Sequence, residues 1–156
     1  MIAFTSSVPR RDAVVEQTSR LTTIWDRWFA RLETWLASAP MVVGAVSLSG
    51  QGATVATTAV PMIVKGGLYR VSTYLRCTRA ATTSSSLTLT IGWTDGGVAC
   101  SWAGTALVGN TTATLEGACR PIRCDAGTTI TYAVAYASVG ATSAQFAVDV
   151  RVEELT

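Results

Sequence analysis

Between residues 14 and 36, apolar side chains recur every three or four positions, which is the spacing of one face of an α-helix. The regular alternation of four and three residues is that of the a and d positions of a coiled coil. Seven positions follow this spacing: Val14, Thr18, Leu21, Trp25, Trp28, Leu32 and Trp35. The pattern predicts one long N-terminal amphipathic helix, which ends at Pro40 because proline cannot continue a helix.

The apolar face of this predicted helix is wider than the seam of a two-stranded coiled coil. Val15, Phe29 and Leu36 occupy e positions and Ile24 occupies a g position, which such dimers usually fill with charged residues. An isolated helix of this size is marginal in water, so the face needs a covering. The chain's own β-domain, a bundle of three or more copies, and a groove on another protein all remain open. The residues expected to oligomerise or dock are Val14, Leu21, Ile24, Trp25, Trp28, Phe29, Leu32, Trp35 and Leu36.

After residue 40 the period of the hydrophobic pattern falls to about 2, which indicates β-strands. Asp95-Gly96 follows one alternating run and predicts a hairpin, with Val98, Cys100 and Trp102 on the returning strand. The alternating and shorter apolar runs lie at 42–49, 53–60, 69–76, 87–94, 98–102, 111–116, 130–137 and 146–153. We therefore expect a mainly β fold, an antiparallel jelly-roll-like β-sandwich of about eight strands preceded by the helix.

The change of period also predicts the domain organisation. Residues 1–40 form an N-terminal arm and amphipathic helix for oligomerisation or docking, and residues 41–156 form the β-sandwich domain. A length of 156 residues suffices for one domain with its own core and one appended element. A two-domain enzyme is therefore not expected.

Composition narrows the possible partners. Apolar residues make up 49% of the chain and charged residues only 14%, which burial against other subunits would explain. The net charge of +2 is spread without a basic cluster, so no nucleic-acid partner is expected. Polar residues interrupt the apolar stretch 40–64, so no membrane span is expected. The first residues contain no signal-peptide core, and the chain is expected to stay where it is made.

Candidate chemistry is sparse because the chain has no histidine. Glu153 and Glu154 are adjacent, but neighbouring strand residues point to opposite faces, so they cannot act on one substrate bond. Without a leader, the cysteines are expected to stay reduced as small buried side chains. Only Cys119 and Cys124 form a loose pair, which is a weak zinc signal. We expect no catalytic residue, no cofactor and no metal site.

Three stretches of the predicted strands carry a resemblance to known proteins: GGLYRVSTYLRC, CDAGTTITYAVAY and SAQFAVDVRVEEL. Over residues 66–155 their order resembles that of jelly-roll modules of the C1q and TNF type. Joined to the helix LTTIWDRWFARLETWL, they more closely resemble small virion proteins of tailed bacteriophages. This resemblance implies a fibre, spike or adaptor on a neck, tail or capsid, often a homotrimer. It also implies assembly with other virion proteins in a host cytoplasm.

A second function remains open, that of a receptor- or glycan-binding module at a tail tip. In that role Tyr74, Trp102 or the polar stretch Thr82–Ser86, which is expected to be a loop, would contact a host surface glycan. Aromatic side chains on a sandwich are more often part of its core than a platform for sugars.

Overall fold

The computed structural model describes residues 23–38 and 40–155, and it confirms the mainly β fold class. The chain divides into two compact units between Ala39 and Pro40, and the helix α1 (Thr23–Ser38) belongs to the first. The second contains these strands: β1 (Met41–Gln51), β2 (Val55–Ala59), β3 (Gly67–Arg79), β4 (Ser84–Asp95), β5 (Val98–Ala103), β6 (Leu107–Gly109), β7 (Leu115–Cys124), β8 (Thr131–Val139) and β9 (Gln145–Leu155).

The strands form two antiparallel sheets that share one core, as in a β-sandwich. Sheet A has the order β1-β9-β3-β7, and sheet B has the order β2-β8-β4-β5. Strands β6 and β5 pair with the same side of β4, β6 with residues 85–87 and β5 with residues 90–95. The chain crosses between the sheets at most connections, and only β4, β5 and β6 follow one another within one sheet.

Alternate residues of both sheets point into the space between them, because successive side chains of a strand face opposite ways. Burying each large apolar side chain contributes roughly 2 kcal/mol to folding, so this shared core is the main source of stability. The largest fully buried side chains include Tyr69, Leu75, Leu87, Leu89, Ile91, Val134, Phe146, Val148, Val150 and Val152. The alternating runs 87–94 and 146–153 are strands whose apolar residues face inward, with Trp93 half-buried at the end of the first.

The predicted hairpin at Asp95-Gly96 is present between β4 and β5. Gly96 and Gly97 form its loop with φ values of 60° and 76°, as a tight two-residue turn of this kind requires. The Asp125 carboxylate accepts hydrogen bonds from both glycine N–H groups, at 3.0 and 2.7 Å. The Asp125 N–H also donates to the Thr94 carbonyl at 2.9 Å. The segment after β7 of sheet A therefore holds the end of a sheet B hairpin.

Three local expectations were wrong. The run 111–116 is not a strand of its own, because only its last two residues belong to β7, which begins at Leu115. The polar stretch Thr82–Ser86 is not one loop, because β4 begins at Ser84. The Ser85 hydroxyl donates to the Gly109 carbonyl at 2.7 Å, which fixes this part of β4 against β6. The cysteines are not all buried either, since Cys119 faces outward from β7 and is exposed.

Candidate functional site

The aromatic side chains of α1 pack along one side of the helix. The Trp25 ring centroid lies 5.8 Å from that of Trp28 and 5.7 Å from that of Phe29. The rings of Trp28 and Phe29 meet edge to face at 5.1 Å. Residues three and four apart are neighbours on a helix, and edge-to-face or tilted contacts are the preferred aromatic geometry. The three rings form one ridge, which continues through Leu32, Trp35 and Leu36; we call these six residues the aromatic face of α1.

Much of this aromatic face remains open to solvent. Phe29, Trp35 and Leu36 are 39%, 48% and 54% exposed, whereas Trp25, Trp28 and Leu32 are half-buried. The Trp25 indole N–H is shielded from solvent and has no hydrogen-bond partner among the described residues. Contiguous exposed apolar surface marks an interaction site, and each aromatic side chain can bury about 150–250 Å² on contact. The face is suited to docking.

Not every predicted docking residue can be placed. Val14 and Leu21 lie outside the described residues. Ile24 lies within α1, but its side chain is not among those described. The expected polar side of the helix is present, since Asp26 and Arg31 are exposed. Asp26 in the first turn also suits the positive end of the helix dipole.

Tyr74 lies on the outer face of sheet A and is 39% exposed. Its register partners are Gly117 on β7 and Asp149 on β9. A Cβ built on Gly117 would lie 3.9 Å from the Tyr74 ring, which is an ordinary van der Waals distance, so Gly117 does not crowd the ring. One aromatic side chain is therefore presented to solvent on this outer sheet face.

Trp102 has a different position, because it points inward at the edge where β5 and β7 face each other. It pairs in register with Ile91 and is half-buried. The Arg120 guanidinium carbon lies 4.7 Å from the centre of the Trp102 ring, which covers the ring with a cation–π contact. The cavity beside it, which Trp93 also lines, measures about 10 Å³ and has room for about one water molecule. The structure therefore does not bring Tyr74 and Trp102 together in one site.

The acidic residues hold structural contacts. Glu153 pairs with Arg70 on the outer face of sheet A, and Glu154 lies 3.6 Å from the Lys65 ammonium group. Backbone N–H groups of Gly97 and Gly96 lower the pKa of Asp125 from its ordinary value. Among the residues that the structure describes, no group of three or more acidic or cysteine side chains is arranged to hold a metal ion.

The cysteine thiol at the end of β7 is in an unreactive setting. Burial, with smaller effects from Asp95 and Asp125, raises the pKa of Cys124 to about 11. A thiol with so high a pKa is almost entirely protonated at neutral pH and is a poor nucleophile. Cys124 therefore has the role of a small core side chain.

One surface was missed by the sequence analysis, the outer face of sheet B. Its outward positions hold only alanine, glycine, serine, threonine and valine, a signal that is visible between the inward residues of the alternating runs. On β4, β5, β6 and β8 these positions are Ser84, Ser86, Thr88, Thr90, Gly92, Thr94, Ala99, Ser101, Ala103, Val108, Thr131, Ala133, Ala135, Ala137 and Val139.

No protein family model matches this sequence, and no curated protein matches it at a significant level. Within the described part of the chain, no helix has both the length and the apolar character needed to span a bilayer.

Proposed function

We propose that this chain is a structural protein of a tailed-bacteriophage virion, a fibre, spike or adaptor component of the neck, tail or capsid. The observation that carries the proposal is the aromatic face of α1, whose Trp35 and Leu36 are about half exposed. Exposed apolar surface of this kind needs a protein partner. The resemblance of the helix and the strand stretches to small virion proteins supplies the identity of that assembly.

In this proposal the β-sandwich is a jelly roll. The order β1-β9-β3-β7 places the first strand beside the last. In the other sheet, the order β2-β8-β4-β5 places the second strand beside the second-last. Successive strands β1 to β4 alternate between the sheets, as do β7 to β9. Two Greek keys wound in this way are what a jelly roll requires. The proposal assigns attachment to residues 1–40 and the sandwich module to residues 41–156.

The partners in this proposal are copies of the chain and other virion proteins, assembled in a host cytoplasm. A homotrimer is favoured, because the apolar face of α1 includes Phe29 and Leu36 beside its a and d residues. Such a wide face suits three or more helices better than two. The proposal includes no nucleic-acid or membrane partner, since the charges are scattered along the chain.

No catalytic activity or cofactor forms part of the proposal. In the described sandwich, Glu153 and Glu154 are adjacent in sequence but contact Arg70 and Lys65 separately. General acid–base catalysis needs groups positioned toward one reacting bond. The contacts of these carboxylates support a role in holding the strand β9.

The attachment role can be tested by measuring the mass of the assembled chain. We expect native mass spectrometry of the full chain to give the mass of three 16.3 kDa monomers or a multiple of that mass. Trp28→Glu places a charge on the aromatic face and should abolish the threefold association through α1. Ala30→Glu places the same charge on the opposite, exposed side of α1 and should leave the oligomer intact. Monomers for the wild-type chain and for Trp28→Glu alike would contradict the proposal.

The virion role has its own test. Particles from cells that carry this gene would be purified on a density gradient, and their proteins would be quantified by mass spectrometry. We expect the chain to be present in a fixed ratio to the capsid or tail proteins. Its absence from intact particles, with the chain abundant in the lysate, would contradict the virion role whatever the oligomeric state.

A receptor- or glycan-binding role remains the second candidate, and the structure moves its support to Tyr74. The exposed ring lies between Gly117 and Asp149, so a sugar could stack on the ring and donate a hydrogen bond to the carboxylate. Trp102 does not contribute in this form, because Arg120 covers it. The test is binding of the purified chain to host surface polysaccharide, with Tyr74→Ala as the variant. No binding by the wild-type chain would remove this candidate.

A further inference from the structure

The strands of sheet B contain one charged residue, Asp95, at the end of β4. Its carboxylate lies 3.8 Å from the Arg123 guanidinium nitrogen, beside sheet A. The outer face of sheet B therefore carries no charged side chain and no side chain larger than valine. Protein surfaces that meet only water usually mix acidic and basic side chains over about a quarter to a third of their residues. This face is not built like a solvated surface.

The other outer face of the same sandwich shows what a solvated face looks like in this chain. The outer face of sheet A presents Arg70, Arg76, Asp149, Arg151 and Glu153 on its two central strands. Both faces belong to one small domain, and both have the alternation of inward and outward residues that β-strands impose. The difference between them therefore lies in what each face contacts.

The side chains on the outer face of sheet B are short and closely packed. A Cβ added to Gly92 on β4 would lie 2.7 Å from the Thr131 hydroxyl oxygen, so a larger residue there would displace the Thr131 side chain. The Thr131 hydroxyl donates to the Gly92 carbonyl at 3.4 Å, within the sheet. Val108 and Val139 are 64% and 57% exposed on the two sides of β4. A second sheet could approach these short side chains closely, except at a recess of about 280 Å³ beside Ser86, Val108 and Ala137.

The size of the face is sufficient for a specific contact. The strands of sheet B contain 35 residues. At a rise of about 3.4 Å per residue and a strand spacing of about 4.8 Å, they give an area of about 600 Å² per copy. Two such faces would bury about 1,200 Å² in total, above the roughly 1,000 Å² that a specific interface needs. The contact would be at the small end of the stable range.

We propose that the outer face of sheet B packs against the same face of a second copy of this chain. A neutral surface of methyl and hydroxyl groups has nothing to attract a charged partner, whereas a second copy of the same surface can cover it without burying any charge. When a face packs against its own copy, the contact has two-fold symmetry. If one residue of the first copy contacts a second residue of the other copy, the reverse contact is also present. This contact is separate from association through α1, and both can occur in one assembly, because point groups with two-fold and three-fold axes exist.

The test places a charge at the centre of the face, where Ala135 on β8 pairs with Thr88 on β4. Ala135→Glu would be compared with Ala45→Glu, an exposed alanine on the outer face of sheet A. Both would be made in the full chain carrying Trp28→Glu, so that association through α1 is removed. We expect dimers by sedimentation velocity for the Trp28→Glu chain and for Ala45→Glu, and at least a hundredfold weaker association for Ala135→Glu.

A second measurement keeps the proposal testable if a variant folds poorly. In the chain with alanine methyl labels, a soluble paramagnetic reagent broadens the signals of methyl groups that contact solvent. At high protein concentration we expect Ala135 and Ala137 to be protected, and Ala45 to be broadened. Dilution should expose Ala135 and Ala137 together.

The outcomes separate this proposal from the proposed function. Equal broadening of Ala45 and Ala135 at all concentrations, with monomers for every sandwich variant, would overturn the face contact. A trimer that is dissociated by Trp28→Glu would still support attachment through α1 in that case. Conversely, dimers that only Ala135→Glu dissolves would support the face contact with no role for the helix.

Discussion

The two outer faces of the sandwich have the same strand geometry and different surface chemistry. On sheet A, Arg70 lies opposite Glu153, and Arg76 follows on the same face. On sheet B, the corresponding row pairs Thr88 with Ala135. A strand's period decides which side chains point inward, and the types of residue that point outward decide what the face can contact. The alternation of inward and outward side chains therefore locates an outer face, but it does not determine what covers that face.

The difference extends from composition to contacts. The Arg70 guanidinium group forms an ion pair with the Glu153 carboxylate, and both side chains remain partly open to water. Outward side chains of sheet B form short contacts within the sheet, such as that between the Thr131 hydroxyl and the Gly92 carbonyl. Long charged side chains keep neighbouring molecules away from an exposed sheet, whereas short neutral ones leave room for contact.

The largest effect is expected inside the sandwich, where both faces depend on one core. Leu89 is fully buried on the inner side of β4, and Thr88 points outward beside it. Leu89→Ala should lower the free energy of unfolding by about 3 kcal/mol, because it leaves a cavity in a packed core. Thr88→Ala should change it by less than about 1 kcal/mol. Urea denaturation of both variants measures the difference, and a similar loss for the two would contradict the assignment of inner and outer sides.

The next contrast lies within β7, whose two sides bear different cysteines. Cys119 is exposed, whereas Cys124 is buried and its pKa is raised to about 11. Because only the thiolate reacts, at pH 8 about one Cys124 side chain in a thousand would be reactive even if it were accessible. We expect iodoacetamide to modify Cys119 at least about a hundredfold faster than Cys124 in the folded chain. Peptide mass spectrometry measures both modification rates. In urea the two rates should become similar, because both cysteines are then exposed. Similar rates in the folded chain would contradict the burial of Cys124.

The sequence predicted much of the sandwich, because its strongest signals are local. The alternation of Leu87, Leu89 and Ile91 with threonine and glycine is enough to identify the inner side of β4. Asp95-Gly96 predicts the hairpin, and the positive φ values of the turn lie one residue further along, at Gly96 and Gly97. The order of strands in each sheet could not be predicted from local patterns. The pairing of β1 with β9, for example, joins strands from opposite ends of the sandwich domain. The three-residue strand β6 is too short to show a period.

The candidate site was less predictable, because it depends on which face a side chain occupies and on what crosses over it. Tyr74 alternates with buried Leu75, so its exposure could be inferred from the sequence. Trp102 could not be placed in the same way, because its cover, Arg120, comes from a strand of the other sheet. The neutral outer face of sheet B was visible in the sequence only after both neighbours of β4 were known.

A smaller effect is expected from the ion pair on the outer face of sheet A. Arg70→Ala should lower the free energy of unfolding by about 0.5 kcal/mol, since exposed ion pairs contribute little. The loss should shrink as salt is raised, because salt screens charges that remain open to water. Glu153→Ala and the double variant complete a thermodynamic cycle that isolates the pair. A coupling well above about 1 kcal/mol, or one that is insensitive to salt, would show that this face is not solvated.

The smallest effect concerns the point where the two sheets are held together, at Asp125. Its carboxylate accepts the N–H groups of Gly97 and Gly96, which lower its pKa in the folded chain from the ordinary value of 3.8. A lowered folded-state pKa means that the contribution to stability is complete above about pH 4 and is lost as the pH falls from 3.8 toward the folded-state value. The melting temperature of Asp125→Asn should therefore be lower than that of the wild-type chain at pH 7. This difference in melting temperature should disappear as the pH falls below 3.8. Thermal melts across this range measure the gap, with Asp149→Asn as a control for removing any one carboxylate. A gap that stays constant at low pH would show that the Asp125 charge does not hold the hairpin of sheet B to sheet A.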